Sequence, residues 1–156
     1  MLSVEDFKAT VRNTPLVSLD LIIKNNKGEV LVGKRINSPA KNYWFVPGGR
    51  IFKNESIEKA LSRIMNEEVG MLFSKKECKS LGVYEHFYQD SFYSKEVSTH
   101  YIVLAFEIKM DKEIAELPKK QHSEYRLIDI NELLTNEQVH QNTKMYFETK
   151  SILNTN

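Results

Sequence analysis

Between Tyr43 and Gly70 an aromatic segment, Tyr43-Trp44-Phe45-Val46, runs into Pro47-Gly48-Gly49 and then into a stretch whose apolar residues recur at helical spacing. A short buried strand, a glycine turn and an amphipathic helix in direct succession demand a mixed fold. The strand needs a sheet, and the helix needs a sheet face on which to bury its stripe. The helix is predicted from about Ser56 to Val69, closed by Gly70 at a favourable C-terminal position. On a wheel of roughly 100° per residue, Ile57, Ala60, Leu61, Ile64, Met65 and Glu68 share one side, with Glu68 close to the middle of the apolar stripe. A carboxylate there is costly unless a cation or hydrogen-bond donors meet it. Either Glu68, near the helix end, emerges into solvent, or it is a ligand. The glycine turn favours the second, because Gly48 lets the backbone approach a ligand and offers its carbonyl as a hard oxygen donor.

The flanking sequence supplies the sheet. Leu16 to Lys24 is an aliphatic strand interrupted by Ser18 and Asp20; Asn26-Lys27-Gly28 is a turn signal, and Glu29 to Lys34 returns as a second strand. Leu81 to Tyr88 and Val97 to Ile108 are long strands, and Tyr125 to Ile128 is a last one. A helix is expected over residues 3–12, with Val4, Phe7, Ala9 and Val11 on its buried side, and Pro15 ends it. Asn142 to Leu153 reads as a closing helix. With 156 residues and 41% hydrophobic content, the chain is expected to form one α+β domain over 1–156, an α/β/α sandwich with a mixed sheet.

Composition excludes several functions. The 22 basic and 21 acidic residues leave a formal +1, whereas a generic nucleic-acid groove calls for a stronger basic bias. No apolar run reaches membrane-spanning length, and residues 1–12 are amphipathic rather than signal-like. The single cysteine, Cys78, has no internal partner and suits a reducing compartment. A soluble, cytoplasmic protein is expected.

From Gly49 the chain spells G-x5-E-x7-R-x-M-x-E-E-x-G-M, through Glu55, Arg63, Glu67 and Glu68 to Gly70 and Met71. This resembles the Nudix box, G-x5-E-x7-R-E-U-x-E-E-x-G-U with U aliphatic, over residues 49–71. Ile64 stands where the box carries a metal-binding glutamate. Further patches, TPLVSLDLII (Thr14 to Ile23), GKR with the later YWFVPGGR, THYIVL (Thr99 to Leu104) and KQHSEYR (Lys120 to Arg126), are similar to the GDP-mannose mannosyl hydrolase branch of that superfamily. The order and spacing fit from about residue 3 to residue 150, and loss of the box glutamate is characteristic of the branch.

The resemblance implies a Mg²⁺-dependent glycosyl hydrolase, with Mn²⁺ as a possible substitute, in which water attacks the anomeric carbon with inversion and GDP departs. It implies metal ligands at the Gly48 carbonyl, the Glu68 carboxylate and the Gln121 side-chain oxygen, with His122 as general base. It also implies a homodimer in which the N-terminal region packs near the nucleotide. An imidazole with a pKa near working pH suits the deprotonation of water. Arg35 and Arg50 are candidates to absorb charge on the leaving diphosphate. Plainer readings stand beside these: Arg35 as a strand-end cation, Arg50 as a loop charge, Tyr101 as sheet core rather than a hydroxyl on the diphosphate. Asp20 is a candidate for a sugar hydroxyl or a metal-bound water. Asp6 is either a guanine acceptor or a helix cap. His86 and His100 are either packed or sugar-facing. Arg63 and Glu67, four apart, pair across one helical turn; in Nudix enzymes the equivalent arginine orients the metal carboxylates. Retention of Glu67 leaves a second metal and ordinary attack at phosphorus open. A non-catalytic module that senses a nucleotide sugar is the reading from another class, and a water-activating base argues against it.

Overall fold

The structure is a computed structural model and describes residues 2–72, 74–110, 117 and 122–148. Its spine is β1 (Leu16–Lys24), which joins two halves of a seven-stranded mixed sheet. On one side β1 runs parallel to β6 (Thr99–Lys109), from Leu16 opposite Tyr101 to Lys24 opposite Lys109, and β6 pairs antiparallel with β5 (Cys78–Tyr88). On the other it meets β2 (Val30–Arg35), which pairs antiparallel with both β3 (Trp44–Phe45) and β7 (His122–Ile128).

Alternation along β1 makes the sandwich. Leu19, Leu21 and Ile23 pack on Ala60, Leu61, Ile64, Met65 and Val69 of α2 (Ile57–Val69). Ile22 faces the opposite layer with Val30, Val32, Val103 and Ala105, against Leu133 of α3 (Ile130–Thr135) and Tyr146 of α4 (Gln141–Glu148). Leu19, Leu21, Ile22 and Ile23 are fully buried, each contributing about 1.5–3 kcal/mol of hydrophobic stabilisation. The result is the α+β, α/β/α arrangement expected. Among the described residues no helix is long and apolar enough to cross a membrane.

Local chemistry sets the ends of the helices. Ser3 accepts from the Asp6 amide at the start of α1 (Val4–Asn13), Ser56 accepts from Lys59 at the start of α2, and Gly70 closes α2 at φ 64°. Several expectations need correction. In α1 the inward side is Phe7 and Val11, while Val4 and Ala9 face solvent, because only the first pair lies over the sheet at helical spacing. Ile57, at the first position of α2, is exposed, and the buried face of the helix begins at Ala60. Gly48–Arg50 is not a turn that stops the preceding strand; it is β4, antiparallel to β1, with Asp20 opposite Gly48. His122 opens β7 rather than ending a loop, and α3 was not anticipated. The expected closing helix is α4, described to Glu148; its predicted remainder lies outside the described residues.

Candidate active site

A cleft of about 410 Å³ brings together Asp20, Arg35, Gly48, Arg50, Glu68, Tyr101 and His122, residues drawn from β1, β2, β4, α2, β6 and β7. Gln121 lies outside the described residues. Asp6 does not line this cleft: its carboxylate accepts from the Ser3 hydroxyl at 2.6 Å, as a helix-capping group does.

The position of Glu68 follows from the helix stripe. One turn after Ile64, it is only 4% exposed, and its Oε2 has no hydrogen-bond partner. His122 Nδ1 stands 3.6 Å from that oxygen, beyond hydrogen-bond reach. Burial, reinforced by the neighbouring Glu67 charge and opposed by Arg35 and Arg63, lifts the Glu68 pKa from 4.5 to about 7. An orphaned buried carboxylate oxygen is what a hard cation relieves. Among the described residues no group of three or more His, Cys, Asp and Glu converges to hold a metal ion. The donors at hand, one carboxylate and backbone oxygen, fit Mg²⁺ of the kind completed by phosphates and water.

His122 is seated by a glycine and aimed by a tyrosine. A Cβ on Gly33 would stand 2.5 Å from His122 Cγ, so the ring lies on the bare backbone of β2. Gly33 pairs with Tyr125 and Arg35 with His122, so β7 carries one extra residue between these partners. That bulge brings His122 and Tyr125 to the same side, where plain alternation would part them. The Tyr125 hydroxyl donates to the Glu68 carbonyl at 2.9 Å and lies 3.3 Å from His122 Nδ1. Where its proton goes to that carbonyl, its oxygen can accept from Nδ1–H, the tautomer that leaves the Nε2 lone pair for a substrate water. An imidazole titrating near neutrality was expected. Instead burial, aided by Arg35, pushes His122 down to about 4; the ring is neutral at pH 7 and a weaker proton acceptor than one near 6.5.

The glycine strand and the cations complete the cleft. A Cβ on Gly48 would meet Asp20 Oδ1 at 2.4 Å and the Leu19 carbonyl at 2.6 Å, so only glycine lets β4 close on β1 here. Ile64 Cγ1 would stand 3.2 Å from a Cβ on Gly49; hydrocarbon fills the place where the box motif carries a carboxylate. The Arg50 guanidinium lies 4.0 Å from the Phe7 ring centroid and that of Arg35 5.1 Å from Phe45; neither forms an ion pair among the described residues. Arg63 is consumed. It donates to both Glu55 oxygens at 2.7 and 2.9 Å, to Glu67 at 3.1 Å and to the Arg50 carbonyl at 2.8 Å, pinning the loop after β4 to α2.

At the other wall Asp20 faces α4. Its Oδ2 accepts from the Tyr146 hydroxyl at 2.6 Å, and that hydroxyl lies 3.0 Å from His86 Nε2. Burial raises Asp20 to about 6 against the Tyr146 hydrogen bond and Arg35, and burial lowers His86 to about 4. His86 is buried and lines the cleft; His100 stacks on exposed Phe87 at 4.3 Å, away from it. Tyr101 is half-buried on the cleft wall, edge-on to Tyr88 at 6.2 Å. Sequence reasoning missed Gly33, Tyr125 and Tyr146. Tyr125 lay within a motif already singled out, but its alignment with His122 depends on the bulge.

The NUDIX domain family model matches residues 14–148. The chain is 42% identical over 125 residues to the low-salt glycan biosynthesis protein Agl8 of Haloferax volcanii, an alignment that covers 80% of this chain and 78% of Agl8. A local match, 41% identical over 54 residues, joins it to the RNA pyrophosphohydrolase of Orientia tsutsugamushi (strain Boryong), covering 35% of this chain and 33% of that protein. Among solved structures, the MutT protein from Methanosarcina mazei Go1 superposes with a TM-score of 0.70 at 21% identity, over 87% of this chain and 93% of that one. At such identity the likeness is one of fold.

Proposed function

We propose that this chain, a hydrolase that belongs to the NUDIX domain family, cleaves GDP-mannose or a similar GDP-hexose to GDP and free sugar by attack of water at the anomeric carbon. The observation that carries the reading is the pairing of an orphaned Glu68 oxygen with the His122 ring at 3.6 Å, in a cleft that also holds Arg35 and Arg50, neither in an ion pair among the described residues. The relative named for glycan biosynthesis supports a sugar-bearing substrate.

In this reading His122 Nε2 takes a proton from water as its oxygen bonds to the anomeric carbon. The bond from that carbon to the diphosphate oxygen breaks, and its electron pair leaves with GDP. Tyr125 holds the His122 tautomer, and Arg35 and Arg50 offset the charge that gathers on the diphosphate. Tyr101 donates to a diphosphate oxygen and Asp20 accepts from a sugar hydroxyl. The Gly48 carbonyl, the Glu68 carboxylate and Gln121 would hold Mg²⁺ or Mn²⁺, which supplies electrostatic stabilisation of the leaving group. The proposal includes a single domain, a homodimer in which Asp6 approaches the base from the N-terminal helix, and a cytoplasmic setting in keeping with the free Cys78 thiol.

Glu67 favours a second reading, conventional attack at phosphorus. Its side chain is half-exposed and shares Arg63 with Glu55, so it is free to take a further cation. Turnover of GDP-mannose with Mg²⁺ in ¹⁸O water separates the readings. GDP with label in the sugar is expected. GMP with label in a phosphate overturns the proposal, and binding of nucleotide sugars without any turnover identifies a sensor.

A further inference from the structure

One wall of the cleft is organised by a side chain that does not itself line it. Tyr146 is buried in the apolar layer under α4, edge-on to Tyr84 at 4.8 Å. A single acceptor would satisfy its hydroxyl. It sits instead between two groups that both line the cleft, Asp20 Oδ2 at 2.6 Å and His86 Nε2 at 3.0 Å, brought in from β1 and β5. We propose that Tyr146 is a positioning residue that ties the Asp20 carboxylate to the His86 imidazole and fixes the orientation in which both meet the substrate.

The hydrogen-bond inventory fixes the direction of the chain. An ionised Asp20 only accepts, so Tyr146 gives it its one proton; the Tyr146 oxygen then accepts from His86 Nε2–H, and the His86 lone pair is left at Nδ1. The second Asp20 oxygen, Oδ1, is the one held beside Gly48. The reach of Tyr146 is set from elsewhere. The His140 amide donates to the Trp44 carbonyl at 3.1 Å, and the Val46 amide to Thr143 Oγ1 at 3.3 Å, so α4 is fastened to the segment that enters the glycine strand. The Tyr146 hydroxyl thus registers β1 against β5, while Thr143 and the His140 amide hold the same helix to the segment before β4.

The inference rests on the proposed hydrolysis for its kinetic consequence, but not for its spectroscopic one. In the ¹⁵N NMR spectrum of the wild-type protein at pH 8, His86 is expected as the Nε2–H tautomer; the Nδ1–H tautomer overturns the proposal without any variant. Tyr146→Phe, which keeps the ring and its packing, is expected to shift His86 to a tautomer mixture. It should lower kcat on GDP-mannose roughly 10–100-fold with KM changed less than about 2-fold, the loss of a hydrogen bond to a charged group. His86→Gln and Tyr146→Phe together should cost no more than the worse single change, because they interrupt one chain. A folded Tyr146→Phe protein with native tautomer and kcat, or additive losses in the double variant, refutes the positioning role. If GDP-mannose is not turned over, the tautomer measurement still decides.

Discussion

Replacing Glu68 by glutamine isolates the cost of the feature on which the site depends. The folded chain encloses this carboxylate at 4% exposure with one oxygen unpartnered. Burial, the largest cause, holds its pKa at about 7 against 4.5 unfolded. The sign follows from proton counts. Between those values the folded state binds more protons than the unfolded one, so stability contributed at Glu68 is full below about pH 4.5 and is lost as pH rises through 7. At ~1.4 kcal/mol per pH unit, the loss in the metal-free protein reaches about 3 kcal/mol at pH 8.5. Glutamine carries no such penalty. Its amide nitrogen brings a cost of its own where it lacks an acceptor, about 1–3 kcal/mol, but that cost is independent of pH.

The measurable quantity is therefore a difference of differences. Urea denaturation in EDTA at pH 5 and pH 8.5 is expected to show Glu68→Gln gaining about 2.5 kcal/mol relative to wild type across that interval. Added Mg²⁺ should reverse the order at pH 8.5, since a cation bound to the folded wild type stabilises it by mass action and the amide is a poorer ligand. Parallel pH curves for the two proteins would show that the carboxylate is solvated after all. Equal stabilisation of both by Mg²⁺ would remove Glu68 from the ligand set.

Other outcomes follow from the same geometry. His122→Gln is expected to lower kcat on GDP-mannose roughly 10²–10⁴-fold while calorimetric GDP affinity stays near wild type; unchanged turnover removes His122 as the base. Gly33→Ala drives a methyl into a ring now 2.5 Å from the position of its Cβ, and steady-state kinetics should show a ~10-fold or greater loss of kcat, with full activity refuting the seat. Acidification should separate wild type from an Asp20→Asn, Glu68→Gln variant. His86, His122 and His140, all held near 4 by burial, bind fewer protons folded than unfolded and lose stability as pH falls from 6.5 toward 4, whereas Asp20 and Glu68 offset that loss. Without the two carboxyls the denaturation midpoint should fall more steeply over this window; identical slopes contradict the assigned burial.

Much of this was legible because it is periodic. The stripe of α2 set Glu68 on the apolar side by spacing, with the glycine turn needed to choose burial over emergence into solvent, and the alternation in β1 made Asp20 conspicuous. What escaped depends on how strands meet. No local signal says that Gly48–Arg50 pairs with β1, because the reason is a missing Cβ opposite Asp20. Nor does strand periodicity place His122 beside Tyr125, for the bulge that does so is a property of the β2–β7 pair. Tyr146 is remoter still: the hydroxyl joins residues 126 and 60 positions away in sequence, and nothing near Tyr146 announces it. In the α1 segment the amphipathic pattern was real, but its inward side was set by the sheet it rests on.

The same logic bears on Ile64. Its side chain is almost fully buried against Gly49, one helical turn before Glu68. A glutamate at that place would add a second desolvated carboxylate on the same face, each raising the other's pKa, and only further cations would relieve the pair. With isoleucine there, Glu68 faces Arg35 and Arg63 at longer range and repels only the half-exposed Glu67. The buried helix face is therefore poor in negative charge, while Arg35 and Arg50, neither in an ion pair among the described residues, set two guanidiniums on the cleft lining beside Asp20, Glu67 and Glu68. On the proposed hydrolysis those guanidiniums would offset an anion that leaves, and a helix face with one buried carboxylate would gather fewer metal ions than one with two, which is why a hydrocarbon side chain weighs as heavily in that proposal as any ligand.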